Sequence, residues 1–230
     1  MKGRVNVLPI AIAILVTVVF SVVISLIFMS SVDSVVEKTT TDDLLLVDPS
    51  TETERQNPSP TPTVSLEYAS NGNGTCTVVG IGSCADPTVV IPEYTRTGER
   101  VIAIAPEAFY ACPTVTAVHI PASVTFIGAL AFADCKNLSY ISVSDQNNAY
   151  CDLDGVLYSA DLSTLITYPP KRAGESVTIY AGISVIREMA FYECAYLKHV
   201  SFTGSPAQWE KISVGSKNYT LLAVAKSFGG

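Results

Sequence analysis

The sequence of 230 residues has little charge, little histidine and no excess of basic residues. Charged side chains make up 15% of it, against about 25% in an ordinary soluble protein. The 14 Lys and Arg are outnumbered by 21 Asp and Glu, and a nucleic-acid binder needs a basic face to neutralise phosphates, so that class is excluded. With two histidines and no GxSxG, HExxH or SxxK motif, the sequence predicts no enzyme, no catalytic residue and no cofactor.

A second long apolar run is also missing, which excludes a multi-span transporter. The one such run, residues 8–29, has 22 residues without a charge, and as a helix it would span about 33 Å, enough to cross a bilayer. We predict an uncleaved transmembrane helix; the alternative is a cleaved signal peptide, which usually has a shorter apolar core. Lys2 and Arg4 precede the run. The positive-inside rule therefore predicts a single-pass plasma-membrane protein with residues 1–7 in the cytoplasm and the C-terminal domain outside.

Residues 30–64 are predicted to form a disordered stalk. They hold seven acidic and two basic residues, and Pro58, Pro60 and Pro62 alternate with Ser and Thr, which is typical of an extended polyproline-like spacer. From residue 65 the composition changes to short β-like segments separated by Gly, Pro and Asn. We therefore predict a folded domain over residues 65–230.

The folded domain contains an internal repeat. Three segments, at 104–115, 127–138 and 186–197, follow the pattern Ile-(x)3-Ala-Phe-(x)2-Cys-(x)2-Leu/Val, and each leads into a short strand. One such unit cannot bury its own apolar side chains, but stacked units bury them against one another. The predicted core columns are one of Ile104, Ile127 and Ile186, one of Phe109, Phe132 and Phe191, and one of Cys112, Cys135 and Cys194.

These segments resemble the repeats of the BspA-type (TpLRR) bacterial leucine-rich repeat surface proteins, most clearly in IPASVTFIGALAFADCKNLSYI at 120–141. The resemblance extends over 66–226. It implies a leucine-rich-repeat solenoid, a β-rich right-handed β/α superhelix with short helical turns, an N-terminal cap at 66–88 and a C-terminal cap at 202–230. It also implies a role in adhesion and protein binding at a bacterial surface, without catalytic residues.

Two features depart from the repeat: an insert at 93–100 in its first copy and an irregular turn between its second and third copies. Between its second and third copies, Asp154-Gly155 predicts a β-hairpin turn with 156–158 and 165–168 as the arms. The cysteine spacing fits no zinc framework, so no metal site is predicted. Cys76 and Cys84 flank a short segment of the predicted N-terminal cap and either form a disulfide or remain free.

Strand alternation predicts one set of side chains on the outward face of the sheet. Its members are His119, Tyr140, Ser142, Thr178, His199 and Ser201. Because aromatic and polar side chains on a solenoid face provide contact area, we predict that this face binds a protein or glycan non-covalently. The alternative function is a structural or assembly subunit of the cell envelope that acts by self-association.

Overall fold

The computed structural model describes residues 61–229 of the chain. The predicted cytoplasmic tail (1–7), the predicted transmembrane helix (8–29) and all but the last four residues of the predicted stalk (30–64) lie outside the described residues. Neither helix found in residues 61–229 has the length and apolar character that a membrane span requires.

Residues 61–229 form fifteen short strands and two short helices. The strands are β1 (Glu67–Ser70), β2 (Thr75–Gly80), β3 (Thr88–Val90), β4 (Arg100–Ile104), β5 (Ala117–Ile120), β6 (Phe126–Ile127), β7 (Tyr140–Val143), β8 (Tyr150–Leu153), β9 (Val156–Ser159), β10 (Thr164–Thr167), β11 (Ser176–Ile179), β12 (Val185–Ile186), β13 (His199–Phe202), β14 (Ser213–Val214) and β15 (Ala225–Phe228). The helices are α1 (Pro206–Trp209) and α2 (Tyr219–Ala223).

The chain coils through about six turns, and each turn adds one strand to each of two parallel stacks. One stack consists of β2, β4 and β6, followed by β10, β12 and β14. The other consists of β3, β5 and β7, which we call the N-terminal ladder, followed by β11, β13 and β15, which we call the C-terminal ladder. Val118 lies opposite Ile141, and Ile104 opposite Ile127. All four are buried, so the predicted repeat solenoid is confirmed.

The corners that join the two stacks are tight turns, not the predicted short helical turns. In each recognised repeat, two residues beside the Ala-Phe pair have left-handed backbone angles: Glu107 and Ala111 (φ 59° and 53°), Leu130 and Asp134 (58° and 57°), and Met189 and Glu193 (55° and 57°). These angles are incompatible with a continuous right-handed helix. The N–H groups bond to the next turn instead, as where Phe109 N donates to Ala131 O at 2.9 Å.

Aromatic rings fill the corners, but they do not form the single column that the sequence predicts. Phe109 and Phe132 stack with their ring centroids 5.4 Å apart. Phe191 stacks on Tyr168 at 5.0 Å, a residue outside the three recognised repeats. Tyr168 therefore fills the Phe position of a further, shortened repeat, in which Leu165 lies opposite Ile186.

Three antiparallel strands, β8, β9 and β10, interrupt the coil and form a meander. The predicted turn at Asp154-Gly155 joins β8 to β9, and both residues have positive φ (51° and 80°), as a type I′ turn requires. The predicted arms 156–158 and 165–168 do pair, as β9 and β10, but a second turn at 160–163 connects them. The prediction placed Asp154-Gly155 as the turn of the β9–β10 hairpin, whereas it joins β8 to β9. The sequence did not predict β8 because this strand, with Asp152 inside it, lacks an apolar pattern.

The two faces of the meander belong to different cores. Tyr150, Leu157 and Ile166 are buried in the cluster that contains the N-terminal ladder. Val156, Tyr158 and Leu165 are buried in the cluster that contains the C-terminal ladder. Because successive residues of a strand point to opposite faces, one small sheet closes both cores.

The segments predicted as caps contribute strands to the stacks. The predicted N-terminal cap (66–88) contains β2, and the predicted C-terminal cap (202–230) contains β14 and β15. At the last strand, Lys226 lies opposite the buried Val200, and its ammonium group donates to Leu222 O at 3.3 Å. A charge at a core position of an edge strand opposes pairing with a further strand.

Replacing Phe132 by Ala is expected to lower the free energy of unfolding by about 3–5 kcal/mol, because it removes a buried ring and leaves a cavity. Phe126, in the same turn, is the matched control. Phe132 is 2% exposed and Phe126 is 56% exposed, so Phe126→Ala should change stability by less than about 0.5 kcal/mol. Urea denaturation of the two variants measures both effects. Equal losses would contradict the placement of Phe132 in the core.

Candidate binding groove

The predicted outward residues are split between the two ladders. His119, Tyr140 and Ser142 lie on β5 and β7, and Thr178, His199 and Ser201 lie on β11 and β13. Each is exposed or half-buried, and buried residues alternate with them along the strands. The two ladders are separate sheets. The six residues therefore face outward, as predicted, but they do not share one sheet.

Each histidine bonds to a serine on the strand that follows. His119 Nδ1 and Ser142 Oγ form a hydrogen bond across β5 and β7, where the two residues lie directly opposite each other. His199 Nε2 is 2.9 Å from Ser227 Oγ on β15. Each ladder therefore carries on its outward face one pair of polar side chains that a hydrogen bond holds in a fixed arrangement.

The strand ends of the N-terminal ladder surround a groove of about 450 Å³. Its lining comes from consecutive residues at the ends of β3, β5 and β7, namely 90–93, 119–122 and 142–144, together with Pro62. His119 and Ser142 are the two predicted residues that line it. The groove therefore forms where three successive turns end side by side.

Residues 62–63, which close one side of the groove, belong to the folded domain although the sequence places them in the stalk. Thr63 N donates to Val90 O at 2.9 Å, and Val90 N donates to Thr63 Oγ1 at 2.8 Å. Thr63 is buried, so this segment covers the outer edge of β3. Sequence reasoning missed this contact because a Pro-Thr repeat is typical of a linker, and the partner strand begins 25 residues later, at Thr88.

The groove has a mixed apolar and polar lining with one charged side chain, that of Glu93. Residues 61–155 carry nine acidic and three basic side chains, so the half of the domain that holds the groove is acidic. Within residues 61–229, no group of three or more His, Cys, Asp or Glu side chains is placed to hold a metal ion. Apolar surface with a few placed polar groups is suited to non-covalent recognition.

Tyr140 has a packing role as well as an exposed edge. Its ring lies over the meander turn: a Cβ added at Gly155 would come within 2.4 Å of Tyr140 Cδ2. Beside it, Ile141 N donates to Gly155 O at 3.1 Å, and Val143 N donates to Asp152 Oδ1 at 2.8 Å. The first hairpin of the meander therefore covers the free edge of β7, and a substitution of Tyr140 would disturb this junction.

All six cysteines lie within the described residues, and all six are free. The possible Cys76–Cys84 disulfide is therefore wrong. Cys76 is buried near the start of β2, and the strand carries the chain about 13 Å further, at about 3.3 Å per residue, before the loop that holds Cys84. Of the repeat cysteines, Cys135 and Cys194 are buried as predicted, but Cys112 is only half-buried, because its corner has a complete repeat on one side only.

The two buried repeat thiols form a regular contact between turns. Cys135 Sγ donates to Phe109 O at 2.8 Å, and Cys194 Sγ donates to Tyr168 O at 3.6 Å. Burial raises the pKa of Cys135 to about 12 and moves the pKa of Cys194 in the same direction. Both thiols therefore remain protonated at neutral pH and act as small core side chains, because the nucleophilic form of cysteine is the thiolate.

Comparison with protein families finds that residues 93–154 and 171–218 match the BspA type leucine rich repeat region, in six copies. The matched segments include all three repeats recognised in the sequence. No curated protein matches the chain.

Several solved leucine-rich repeat proteins are similar to this chain. One from Eubacterium ventriosum is 19% identical with a TM-score of 0.44, and the alignment covers 62% of this chain and 54% of that one. One from Bacteroides ovatus is 26% identical with a TM-score of 0.41, covering 64% and 43%. The T. pallidum Leucine Rich Repeat protein is 21% identical with a TM-score of 0.36, covering 65% and 56%. This chain thus spans roughly half the length of each.

The buried Cys135 thiol is expected to make the fold sensitive to alkaline pH. Its pKa is raised from 9.0 to about 12, so its stabilising contribution is complete below pH 9 and is lost as the pH rises towards 12. The loss per pH unit is about 1.4 kcal/mol. Between pH 9 and pH 11 the unfolding free energy of the parent protein should therefore fall with pH more steeply than that of Cys135→Ala. The two slopes should differ by about 1.4 kcal/mol per pH unit. Parallel slopes in the parent and the variant would contradict the placement of this thiol.

Proposed function

Because the chain belongs to the BspA-type leucine-rich repeat family, we propose that it is a surface recognition module whose groove binds an extended, basic segment of a partner protein. Leucine-rich repeat proteins are generally non-enzymatic modules that bind proteins. The observation that carries the proposal is the groove of about 450 Å³ at the ends of β3, β5 and β7, with His119 and Ser142 in its lining.

The dimensions of the groove suit an extended peptide. Three parallel strand ends spaced about 4.8 Å apart span about 10 Å, which three residues of an extended chain cover at about 3.3 Å each. Val90, Pro121 and Val143 supply half-buried apolar surface for the side chains of such a segment. The hydroxyl groups of Ser142 and Ser144 line the same groove and are suited to bond its backbone.

The charge of the surrounding half-domain favours a basic partner. Glu93 lies in the groove, and Asp145 follows the lining residue Ser144 directly in the chain. A field of one sign steers an oppositely charged partner towards the site and speeds association. Because salt screens exposed charges over about 8 Å at physiological ionic strength, the association rate should fall as salt is added.

The proposal includes a location at the cell surface, with the N-terminus in the cytoplasm and the solenoid outside. It is supported by the apolar run 8–29, with Lys2 and Arg4 before it, and by the acidic, proline-containing segment that follows. One short groove gives modest affinity, so many copies on one surface would act together by avidity. Adhesion to a protein-coated surface is the role that fits this arrangement.

Binding of synthetic peptides to the purified full-length protein tests the groove. We expect extended Lys- and Arg-containing peptides with central Val and Pro residues to bind, and their Glu-substituted counterparts not to bind. Ala122→Trp places a large ring in the groove and should weaken binding by at least about tenfold. Ala223→Trp introduces the same ring at an exposed position of α2 and should leave binding unchanged.

Equal binding to the Ala122→Trp and Ala223→Trp variants would place the site outside the groove and contradict the proposal. A folded protein that binds none of the peptides would also contradict it. If sedimentation then shows that this protein forms a concentration-dependent oligomer at micromolar concentration, the envelope assembly subunit would replace the recognition module as the proposed function.

A further inference from the structure

A second, smaller cavity lies where the meander meets the C-terminal ladder. Its volume is about 210 Å³, and we call it the seam cavity. The polar and aromatic side chains that line it are Asp154, Tyr158, Arg172, Ser176, Thr178 and Tyr180. It shares no residue with the groove of the N-terminal ladder. A ligand bound here would therefore be independent of the proposed function.

Tyr158 brings a hydroxyl group to this cavity. The residue is 1% exposed and lines the cavity together with Tyr180, Arg172 and Asp154. Because a hydrogen bond is stronger inside a protein than in bulk water, a ligand atom that bonds to the Tyr158 hydroxyl gains from its burial.

Arg172 is held in place by bonds to the protein backbone. Its Nε donates to Asp154 O at 2.9 Å, and its Nη1 donates to Ser176 O at 3.3 Å. The guanidinium carbon lies 5.7 Å from the centre of the Tyr168 ring, which also restricts its movement. The third nitrogen, Nη2, is 3.6 Å from Asp154 Oδ2, so its N–H groups lie beside this carboxylate.

The charges of the cavity balance and exclude an anionic ligand. The Asp154 side chain is 89% exposed, so its carboxylate is available to accept hydrogen bonds and would repel a phosphate or a carboxylate. Arg172 neutralises it at short range, which leaves no net charge to attract a cation. The hydroxyl groups of Ser176 and Thr178 add neutral donors and acceptors. The chemistry that matches this set is a neutral ligand with several hydroxyl groups.

We infer that the seam cavity binds one neutral sugar ring, as the terminal residue of a glycan. Its volume of about 210 Å³ equals that of about seven molecules of liquid water, room for a single pyranose and less than drug-sized ligands need. The Tyr180 ring is 44% exposed and offers an apolar face for the C–H side of the sugar. The Tyr158 hydroxyl and the exposed Asp154 carboxylate supply a donor and an acceptor for the sugar hydroxyls, and Arg172 holds the Asp154 turn in place.

Saturation-transfer NMR with methyl glycosides of glucose, galactose, mannose and N-acetylglucosamine tests the inference. The full-length protein is held in a detergent without a sugar headgroup. We expect saturable transfer to at least one glycoside at millimolar concentration, weakened by about tenfold or more in Tyr158→Phe. The variant keeps the buried ring and loses only the hydroxyl, so its thermal stability without ligand should stay close to that of the parent.

Tyr196→Phe is the matched control, because Tyr196 is exposed and does not line the seam cavity; it should bind the glycoside like the parent. Absence of transfer to all four glycosides would overturn the inference, and so would equal binding by Tyr158→Phe and the parent. Tyr158→Phe should keep its affinity for the basic peptides. If the parent protein binds a glycoside but none of the peptides, only the proposed function is overturned. If it binds the peptides but no glycoside, only this inference is overturned.

Discussion

The meander with two apolar faces is the constraint on which the rest of the structure depends. A solenoid of short turns has no internal core within any one turn, so each turn is stable only through its neighbours. At β8–β10 the regular stacking stops, and the turns before and after it would each end in exposed apolar surface. Leu157 faces one core and Tyr158 faces the other. The same few residues therefore close both halves of the domain.

The same interruption sets the functional surfaces. Because the meander covers the edge of β7, the N-terminal ladder ends at three outward-facing strands, and the groove forms at their ends. The turn at Asp154-Gly155 and β11 leave the seam cavity between them. An uninterrupted stack would present one continuous sheet. The interruption replaces it with two separate sites, one in an acidic half-domain and one with balanced charge.

The repeat could be predicted from the sequence where its signal is local. The spacing from Ile127 to Phe132 and Cys135 lies within one turn, so the pattern alone identifies the core. Tyr168 was missed because its repeat is shortened and uses a different aromatic residue. Pro62 and Tyr158 could not be assigned to their sites, since both depend on contacts with strands distant in sequence. The outward direction of His119 and Ser142 follows from alternation, whereas the groove they line depends on how three turns end.

Coupling between the two cores is the most direct test of this account. Trp209 is the single tryptophan and packs beside the second core, whereas Val118 is buried in the first. Urea unfolding of Val118→Ala, followed by Trp209 fluorescence and by circular dichroism, measures the coupling. The account predicts one transition whose midpoint falls equally by both probes, as in a two-state domain. A Trp209 midpoint that stays at the value of the parent protein, while circular dichroism shows an earlier separate phase, would contradict it.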